Sequence, residues 1–445
     1  MALIPQGTFR TLVRSPFIIA SAVFVSRVAG LFVEWLWRPW ALRLEGPYGW
    51  EVGRVAQSIA SGKGFANTLA LFDSGPTAWL CPGYPYLVAA IFKVLGIYSV
   101  PSHVVLLVVN CLFVALTVFP IYAIARRTFG RQVAVWSSWT WLALPSAWIL
   151  PKFVWDSSVD ALCLASIVWA TFAVRGRRGA AAWAAYGLLW AAVTLINASN
   201  LSLLPLLLIW LIWVLHKQHR PAARMIGVML VTLALGIAPW TLRNYIVFHK
   251  LVPIRSNMGL MLWFGSHPGA QGIDTTLSPF ANPVQAELYK QMGEIPYMTA
   301  KKHEAVAYIK SHPGKTVDLA LHGMWTYWFE VSDRHNIAWY ESSSRFVKAY
   351  FTLNICVVSG IVFGLVLALR KRVRGAVIYL AVVAAFPLVY YITRPAFRFR
   401  FTIEPVAIIL VAYSLSWVWA HFPSHATKKA LARSVPEPAT ETASA

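Results

Sequence analysis

The chain has 445 residues, of which 58% are hydrophobic and only 13% are charged, and this balance excludes an ordinary soluble globular protein. Lys and Arg outnumber Asp and Glu by 39 to 17, which gives a formal net charge of +22 at pH 7. The basic residues form short clusters between hydrophobic runs, as membrane-orientation signals do, so we expect membrane lipids and no nucleic acid as partners. The four cysteines show neither metal-ligand spacing nor a disulfide framework.

Hydrophobic runs of about 18 or more residues recur along the chain, and this is the length that crosses roughly 30 Å of hydrocarbon. Basic clusters fall on every second connection, beginning with Arg10 and Arg14 before the first run. The sequence therefore predicts an all-α multi-pass plasma-membrane protein with about ten transmembrane helices and both termini in the cytoplasm. The predicted spans are 16–37, 103–125, 132–150, 157–174, 180–197, 200–215, 224–242, 349–369, 375–393 and 404–421. Between 193 and 204, one bent helix is the alternative to two spans.

Two long segments, 45–98 and 243–347, fall on the outer face in this topology, whereas the cytoplasmic connections are only a few residues long. We therefore expect one transmembrane module over 1–421 that works on its outer face. A tail over 422–445, rich in Ala, Pro, Glu and Ser, has the composition of a disordered segment.

The first outer segment carries three carboxylates in a chain that has few of them, namely Glu45, Glu51 and Asp73. The apolar residues around Glu51 recur at helical spacing and predict a short amphipathic helix that lies along the membrane surface. The Glu51 carboxylate would then point from the polar face into an aqueous cleft. We interpret Glu51 as the first catalytic candidate, followed by Glu45 and Asp73. The alternative for Glu51 is a solvated carboxylate paired with Arg54.

A second acidic pair, Asp156 and Asp160, lies at the outer end of a predicted span, and four-residue spacing places both on one helix face. Acidic residues at such positions usually face a cavity or a partner. We interpret Asp156 as catalytic and Asp160, with the preceding Lys152, as substrate contacts. The alternative for Asp156 is N-terminal helix capping.

Arginines that could bind a phosphate occur at two outer positions. Arg394, Arg398 and Arg400 lie in a short outer loop, against the positive-inside trend, and alternate with phenylalanines. Guanidinium groups beside aromatic rings suit a phosphate whose lipid tail lies in the membrane, and ordinary anionic headgroups are the alternative. Arg243 and Arg255, after the seventh span, are further candidates for phosphate or sugar contacts.

Charged residues inside the spans are rare. Arg27 lies in the middle of the first span, and we expect it to form a structural ion pair with Glu34, two helical turns further on. No Gly-rich phosphate loop is visible, so nothing predicts a nucleotide site.

Five segments follow one another in an order that resembles the bacterial branch of the dolichyl-phosphate-mannose protein mannosyltransferase family, within the GT-C glycosyltransferases. The resemblance extends from about residue 20 to residue 421. The segments are SGKGF, GPTAWLCPGYPYLVAAIFKVLG, ARRTFG, APWTLRNYIVFHKLVPIRSN and RFRFTIEP.

This resemblance implies a polyprenyl-phosphate-linked sugar as donor and an inverting transfer to an acceptor glycan, lipid or protein on the outer face. Glu51 matches the first-loop acid that serves such enzymes as general base, and Asp156 matches a second acid at the outer end of a later span. Arg398 and Arg400 match the phosphate-binding positions. No dedicated metal cage is visible, although a divalent metal that bridges a carboxylate to the phosphate is compatible with this chemistry.

The chain departs from the family pattern at two places. Pro47 and Tyr48 stand where many relatives carry an acidic pair, and Leu80, Cys81 and Pro82 replace an acid-Lys-Pro run. Both departures leave open which first-loop carboxylate is the base. The alternatives to a sugar transferase are a lipid-linked-sugar flippase or other transporter, and a polymerase or ligase of lipid-linked oligosaccharides.

Overall fold

The computed structural model describes residues 13–37, 51–69, 72–270, 277–329, 345–393 and 395–421. These parts of the chain are helical apart from their connections, and one isolated antiparallel bridge joins Ala66 to Pro76. The predicted all-α class is confirmed.

The helices of the described residues are numbered here in chain order. Three further segments are irregular helices: the 3₁₀-helices Leu150–Lys152 and Ala198–Leu203 and the π-helix Ala381–Ala385. The α-helices are α1 (Pro16–Trp37), α2 (Glu51–Ala60), α3 (Gly83–Leu95), α4 (Val100–Leu116), α5 (Val118–Thr128), α6 (Arg131–Ala143), α7 (Pro145–Ile149), α8 (Ser157–Val174), α9 (Ala180–Ile196), α10 (Leu204–Lys217), α11 (Ala222–Phe248), α12 (Met258–Gly265), α13 (Pro283–Met292), α14 (Glu294–Ser311), α15 (Pro313–Phe329), α16 (Arg345–Arg370), α17 (Ala376–Leu380), α18 (Leu388–Ile392), α19 (Phe397–Phe401) and α20 (Glu404–His421).

Seven helical stretches of the described chain are long and apolar enough to cross a membrane, and three shorter apolar stretches, Gly83–Leu95, Ala180–Ile196 and Ala376–Ile392, accompany them. The multi-pass membrane class is confirmed, whereas the count of ten spans is not. One predicted span, 132–150, is interrupted because α6 ends at Ala143 and Pro145 begins a new short helix. The seven long stretches are Pro16–Trp37, Val100–Thr128, Ser157–Val174, Ala198–Lys217, Ala222–Phe248, Lys348–Arg370 and Glu404–His421.

The bundle has two chemically different ends. Helix α8 begins just after Asp156 and ends at Val174, next to Arg175. Helix α10 and the segment from α17 to α18 also extend between these two ends, because Lys217 and Gly375 lie near Arg175 while Ser199 and Tyr390 lie near Asp156. Arg127 and Arg374 lie close enough to Arg175 for their charges to lower its pKa, in addition to the lowering by burial. Three basic clusters that are distant in sequence therefore meet at one end, which we call the basic end.

The buried arginine of the first span corrects one expectation from the sequence. Arg27 does not pair with Glu34: its guanidinium donates to the carbonyl of Ala147 at 2.8 Å and that of Leu142 at 2.6 Å, and it stacks on the Trp148 ring. Glu34 pairs instead with Lys152 at 2.6 Å. The interruption between α6 and α7 leaves backbone carbonyls without helical partners, and within a membrane such groups need an internal donor.

Close approach of α9 and α11 is possible because glycine lies at the contact. A Cβ atom at Gly187 would overlap the Met229 carbonyl and the Thr232 hydroxyl of α11. Small residues let the backbones of two transmembrane helices approach closely. In lipid there is no hydrophobic effect between helices, so this van der Waals packing stabilises the pair.

We therefore expect Gly187→Ala to lower the Tm of the detergent-purified protein, since overpacking a tight contact costs about 1–3 kcal/mol. The matched control is Gly227→Ala in the same helix pair, where nothing lies within 4 Å of the added Cβ. There the change should be neutral or stabilising, because Gly in a helix is about 0.5–1 kcal/mol less stable than Ala. Equal Tm values for the two variants would contradict the close packing.

Candidate functional site

The first catalytic candidate lies where the amphipathic pattern predicts. Helix α2 begins at Glu51 and buries the face formed by Val52, Val55 and Ala56. Glu51 is in the first turn, where the N–H groups at the helix N-terminus favour a negative charge. Within the described residues the Glu51 carboxylate has neither a hydrogen bond nor an ion pair, so its oxygens are available to a ligand.

Glu51 and Asp156 line one enclosed cleft of about 120 Å³, although they are 105 positions apart in the sequence. Asp156 is the residue before the first turn of α8, so both carboxylates lie at helix N-termini. The cleft wall also carries two arginines, several aromatic rings and polar side chains. The remaining lining residues are Val52, Trp79, Leu80, Trp155, Asn197, Ser199, Arg255, Asn257, Met258, Met261, Val389, Tyr390, Thr393, Arg398 and Phe399.

The two cleft arginines are held in different ways. Arg255 donates from Nη2 to the Ser199 hydroxyl at 3.1 Å. The Arg398 guanidinium lies over the Trp155 ring, 4.5 Å from its centroid. In both arginines, other N–H groups of the guanidinium have no hydrogen-bond partner among the described residues. Such donors can bind the oxygens of a phosphate.

Burial and the neighbouring positive charges shift the pKa of Asp156 in opposite directions. Burial raises the pKa of its carboxyl, while the positive charges of Arg398 and then Arg255 lower it, and the burial effect is larger. Asp156 therefore takes up a proton at a higher pH than an ordinary aspartate. Both arginines are close enough to Asp156 to be oriented by its charge.

A carboxyl whose pKa is raised on folding adds stability below its ordinary pKa of about 3.9 and loses that contribution as the pH rises through the folded value. Asp156→Asn cannot titrate. Its Tm relative to wild type should therefore increase as the pH rises above about 4. Thermal unfolding in detergent across this range measures the difference, with the exposed Asp73→Asn as the control. A difference that stays constant with pH would contradict a raised pKa.

Asp160, one turn further along α8, lies outside the cleft wall. Its buried carboxylate accepts hydrogen bonds from Asn197 at 2.7 Å, Asn200 at 2.6 Å and Thr402 at 2.9 Å. These bonds join α8 to the 3₁₀-helix Ala198–Leu203 and to the turn before α20, so they fix the wall that carries Asn197 and Ser199. Substrate contact by Asp160 stays a prediction.

Four other candidates are also engaged elsewhere. The buried Arg400 pairs with Glu404 at 2.9 Å and donates to the Trp328 carbonyl. Lys152 pairs with Glu34, as described above, and the exposed Asp73 lies 3.9 Å from Lys63. Arg243 donates to two backbone carbonyls of the first loop. None of the four lines the cleft.

Two candidates, Glu45 and Arg394, lie outside the described residues. For metal binding, the described residues contain no group of three or more His, Cys, Asp or Glu side chains arranged around a common point. Glu51 and Asp156 are the carboxylates of the cleft, and two carboxylates suit Mg²⁺ only where phosphate oxygens and water complete the octahedron.

The cleft contains residues that the sequence analysis did not single out. Asn257 is buried, and within the described part of the chain its side-chain oxygen has no hydrogen-bond partner. A buried acceptor without a donor is costly unless a ligand or water supplies one. Because Asn257 lines the cleft, this oxygen can accept a hydrogen bond from a bound ligand. Nothing in the local sequence distinguishes Asn257 from an ordinary loop asparagine.

Glu294 holds the cleft in place without lining it. Its buried carboxylate accepts hydrogen bonds from the Ala78 N–H at 2.7 Å, from Ser256 Oγ at 2.6 Å, from Tyr289 Oη at 2.8 Å and from Thr77 Oγ1. One side chain therefore joins the first loop, the segment after α11 and the α13–α14 pair. Trp79 follows Ala78 in the sequence and Arg255 precedes Ser256, so the hydrogen bonds to Glu294 also fix the positions of Trp79 and Arg255 in the cleft.

Glu294→Gln should loosen this junction, because an amide NH₂ would face groups that are themselves donors, and a buried unsatisfied group costs about 1–3 kcal/mol. We expect faster amide hydrogen exchange over residues 65–69 and 72–79, with little change in α8. Glu287→Gln, on the exposed face of α13, is the matched control. Unchanged exchange in Glu294→Gln would show that the junction does not depend on this carboxylate.

No protein-family model and no curated protein sequence matches the chain, but solved structures do. The archaeal oligosaccharyltransferase AglB from Archaeoglobus fulgidus, in complex with an inhibitory peptide and a dolichol-phosphate, is 14% identical with a TM-score of 0.54. That match covers 94% of this chain and 52% of AglB. The apo form of the Archaeoglobus fulgidus oligosaccharyltransferase is 15% identical with a TM-score of 0.53, over 93% of this chain and 52% of that chain.

The fold and the matches together define a polytopic, all-α membrane protein. The chain has the GT-C fold, which confirms the fold that the sequence resemblance predicts. It spans about half the length of the oligosaccharyltransferase structures that it matches. Identities of 14% and 15% establish the fold and leave the chemistry to be argued from the cleft.

Proposed function

We propose that this protein is an integral-membrane glycosyltransferase that moves a sugar from a polyprenyl-phosphate donor to a hydroxyl of an acceptor glycan, lipid or protein. The observation that carries the proposal is the cleft itself, because it combines Glu51 and Asp156 with Arg255 and Arg398 in a protein with the GT-C fold. The dolichol-phosphate in the AglB complex supports a lipid phosphate as the ligand of such a fold.

The two arginines would bind the donor phosphate. As the bond between the anomeric carbon and the phosphate oxygen breaks, negative charge develops on the departing lipid phosphate. Guanidinium groups that are already oriented, Arg398 by the Trp155 ring and Arg255 by Ser199, stabilise that charge without reorganising. Asp156 serves as a positioning residue, since its carboxylate faces both arginines.

Glu51 is the proposed general base. In a single displacement, the acceptor oxygen attacks the anomeric carbon from the face opposite the phosphate, which inverts the configuration, and its proton passes to a carboxylate. Glu51 suits this role because its carboxylate makes no hydrogen bond and no contact ion pair among the described residues, and the charge of Arg54 acts on it there. Asp156, in contrast, lies in the field of both cleft arginines. The buried Asn257 oxygen would accept a hydrogen bond from a sugar hydroxyl.

The proposed orientation puts the cleft on the outer side of the plasma membrane and the basic end in the cytoplasm. Arg127, Arg175 and Arg374 lie together at the end of the bundle opposite the cleft, and this supports the orientation. By the positive-inside rule, connections that are rich in Lys and Arg lie in the cytoplasm. A lipid-phosphate donor in the outer leaflet could then enter the cleft from the side.

The first test uses purified protein in lipid nanodiscs, a radiolabelled polyprenyl-phosphate monosaccharide and a membrane extract as acceptor. Loss of a general base should lower the transfer rate of Glu51→Gln by about 10²–10⁴-fold while donor binding is retained. Glu287→Gln, an exposed Glu of α13, is the matched control and should transfer at the wild-type rate.

Arg398→Ala tests the phosphate site in the same nanodiscs. Loss of a charge-assisted hydrogen bond should weaken donor binding by about 10–100-fold. Arg178→Ala, an exposed arginine at the basic end, is the control. Unchanged donor binding in Arg398→Ala would remove the phosphate assignment. If wild-type protein moves the intact donor across the bilayer and never cleaves it, a flippase replaces the transferase.

A further inference from the structure

A second cavity, much larger than the cleft, opens at the basic end of the bundle. It has a volume of about 1060 Å³ and lies between α10 and the segment that runs from α17 to α18. Both walls carry apolar side chains that are more than half exposed, namely Ile209 and Trp213 on one wall and Val377 and Leu388 on the other. No other described part of the protein covers them. We call this cavity the basal groove.

The groove exists because one wall is built from small residues and an irregular helix. The π-helix Ala381–Ala385 interrupts the path between α17 and α18, and Ala381, Ala384 and Ala385 line the groove. Gly375 begins the wall with φ +90, and a Cβ there would overlap the Phe172 ring. The bulky rings of Trp210 and Trp213 form the opposite wall, so the cavity is a deep cleft rather than a shallow dip.

Four cations line the groove at the basic end: Arg175, Lys217, Arg372 and Arg374. In the described part of the chain, no carboxylate lies within ion-pair distance of any of them. Lys217 stacks on the Trp213 ring with 4.3 Å from its Nζ to the ring centroid, which keeps its charge at the mouth. The groove is therefore apolar along its length and strongly positive at one end.

We infer that the basal groove binds an anionic phospholipid, with the phosphate between these cations and the acyl chains against the apolar walls. Basic pockets between transmembrane helices recognise anionic headgroups by this combination of charge and apolar surface. The volume lies at the upper end of the roughly 300–1,000 Å³ of small-molecule sites, which suits lipid chains better than a free anion.

This site is separate from the proposed donor site and does not rest on the proposed function. The cleft lies at the start of α8 and α10, next to Asp156 and Ser199, whereas the cations of the groove lie at the other ends, next to Arg175 and Lys217. From these cations the apolar walls extend to Leu206 on one side and to Leu388 on the other. A lipid whose phosphate lies between the cations therefore belongs to the leaflet opposite the cleft. A soluble polyanion could satisfy the cations but would leave the apolar walls uncovered.

The test is native mass spectrometry of the full-length protein in detergent, titrated with phosphatidylglycerol or with phosphatidylcholine of identical acyl chains. Wild type should bind phosphatidylglycerol more tightly. The variant Lys217→Gln/Arg374→Gln should lose about thirtyfold in phosphatidylglycerol affinity, at roughly fivefold per surface charge. Arg178→Gln/Arg224→Gln, two exposed arginines of the same end that do not line the groove, is the matched control and should keep wild-type affinity.

A second variant tests the apolar part of the groove without changing charge. Ala384→Trp places a ring in the groove from an exposed position, so it should weaken binding of both lipids while the protein unfolds near its wild-type Tm. Equal affinity of wild type for the two lipids would overturn the inference, as would an equal loss in the control variant. Tighter lipid binding after removal of residues 422–445 would identify the tail as the occupant instead.

Discussion

The Glu294 carboxylate is the interaction on which the candidate site depends. Four donors from three separate parts of the chain converge on its two oxygens, and three of the donor residues, Thr77, Ala78 and Tyr289, are buried. The described residues of the first loop, 51–69 and 72–98, form no regular sheet and one short helix before α3, so their backbone has few partners of its own. Buried backbone groups need hydrogen bonds, and Glu294 together with Arg243 supplies them. Without this junction, Trp79 and Arg255 would have no fixed relation to Glu51.

The cleft contains two carboxylates and two guanidinium groups, so their formal charges cancel, but no contact ion pair joins them. Asp156 lies in the field of Arg398 and Arg255, and its raised pKa shows that burial outweighs both charges. Among the described residues, neither arginine forms an ion pair with a carboxylate at contact distance. The cleft therefore keeps positive donors that have not been neutralised by protein carboxylates, which is the condition for binding a phosphate that carries its own negative charge.

The amphipathic pattern and the hydrophobic runs were sufficient to predict the helical membrane class, the short helix that contains Glu51 and the start of α8 beside Asp156. These features depend on residues close together in sequence. The partners of charged side chains were not predictable in the same way. Arg27 and Glu34 have ideal helical spacing, yet Arg27 donates to carbonyls more than 110 positions away and Glu34 pairs with Lys152. Arg400 resembled Arg398 in sequence, but it is buried against Glu404. The role of Glu294 gave no local signal at all, because its donors come together only in the folded chain.

The interruptions in the helices explain where the functional groups lie. Inside a membrane, irregular backbone is tolerated only where protein buries it or where it lines a cavity. The break before Pro145 is buried, and Arg27 satisfies its carbonyls. The break at Asn197 lines the cleft and supplies Asn197 and Ser199. The π-helix Ala381–Ala385 lines the basal groove. The hydrophobic runs predicted the break at Asn197, which falls between the spans 180–197 and 200–215. They concealed the breaks at Pro145 and at Ala381–Ala385, because both lie within apolar runs. Two of the three interruptions therefore line cavities, and a buried arginine closes the third.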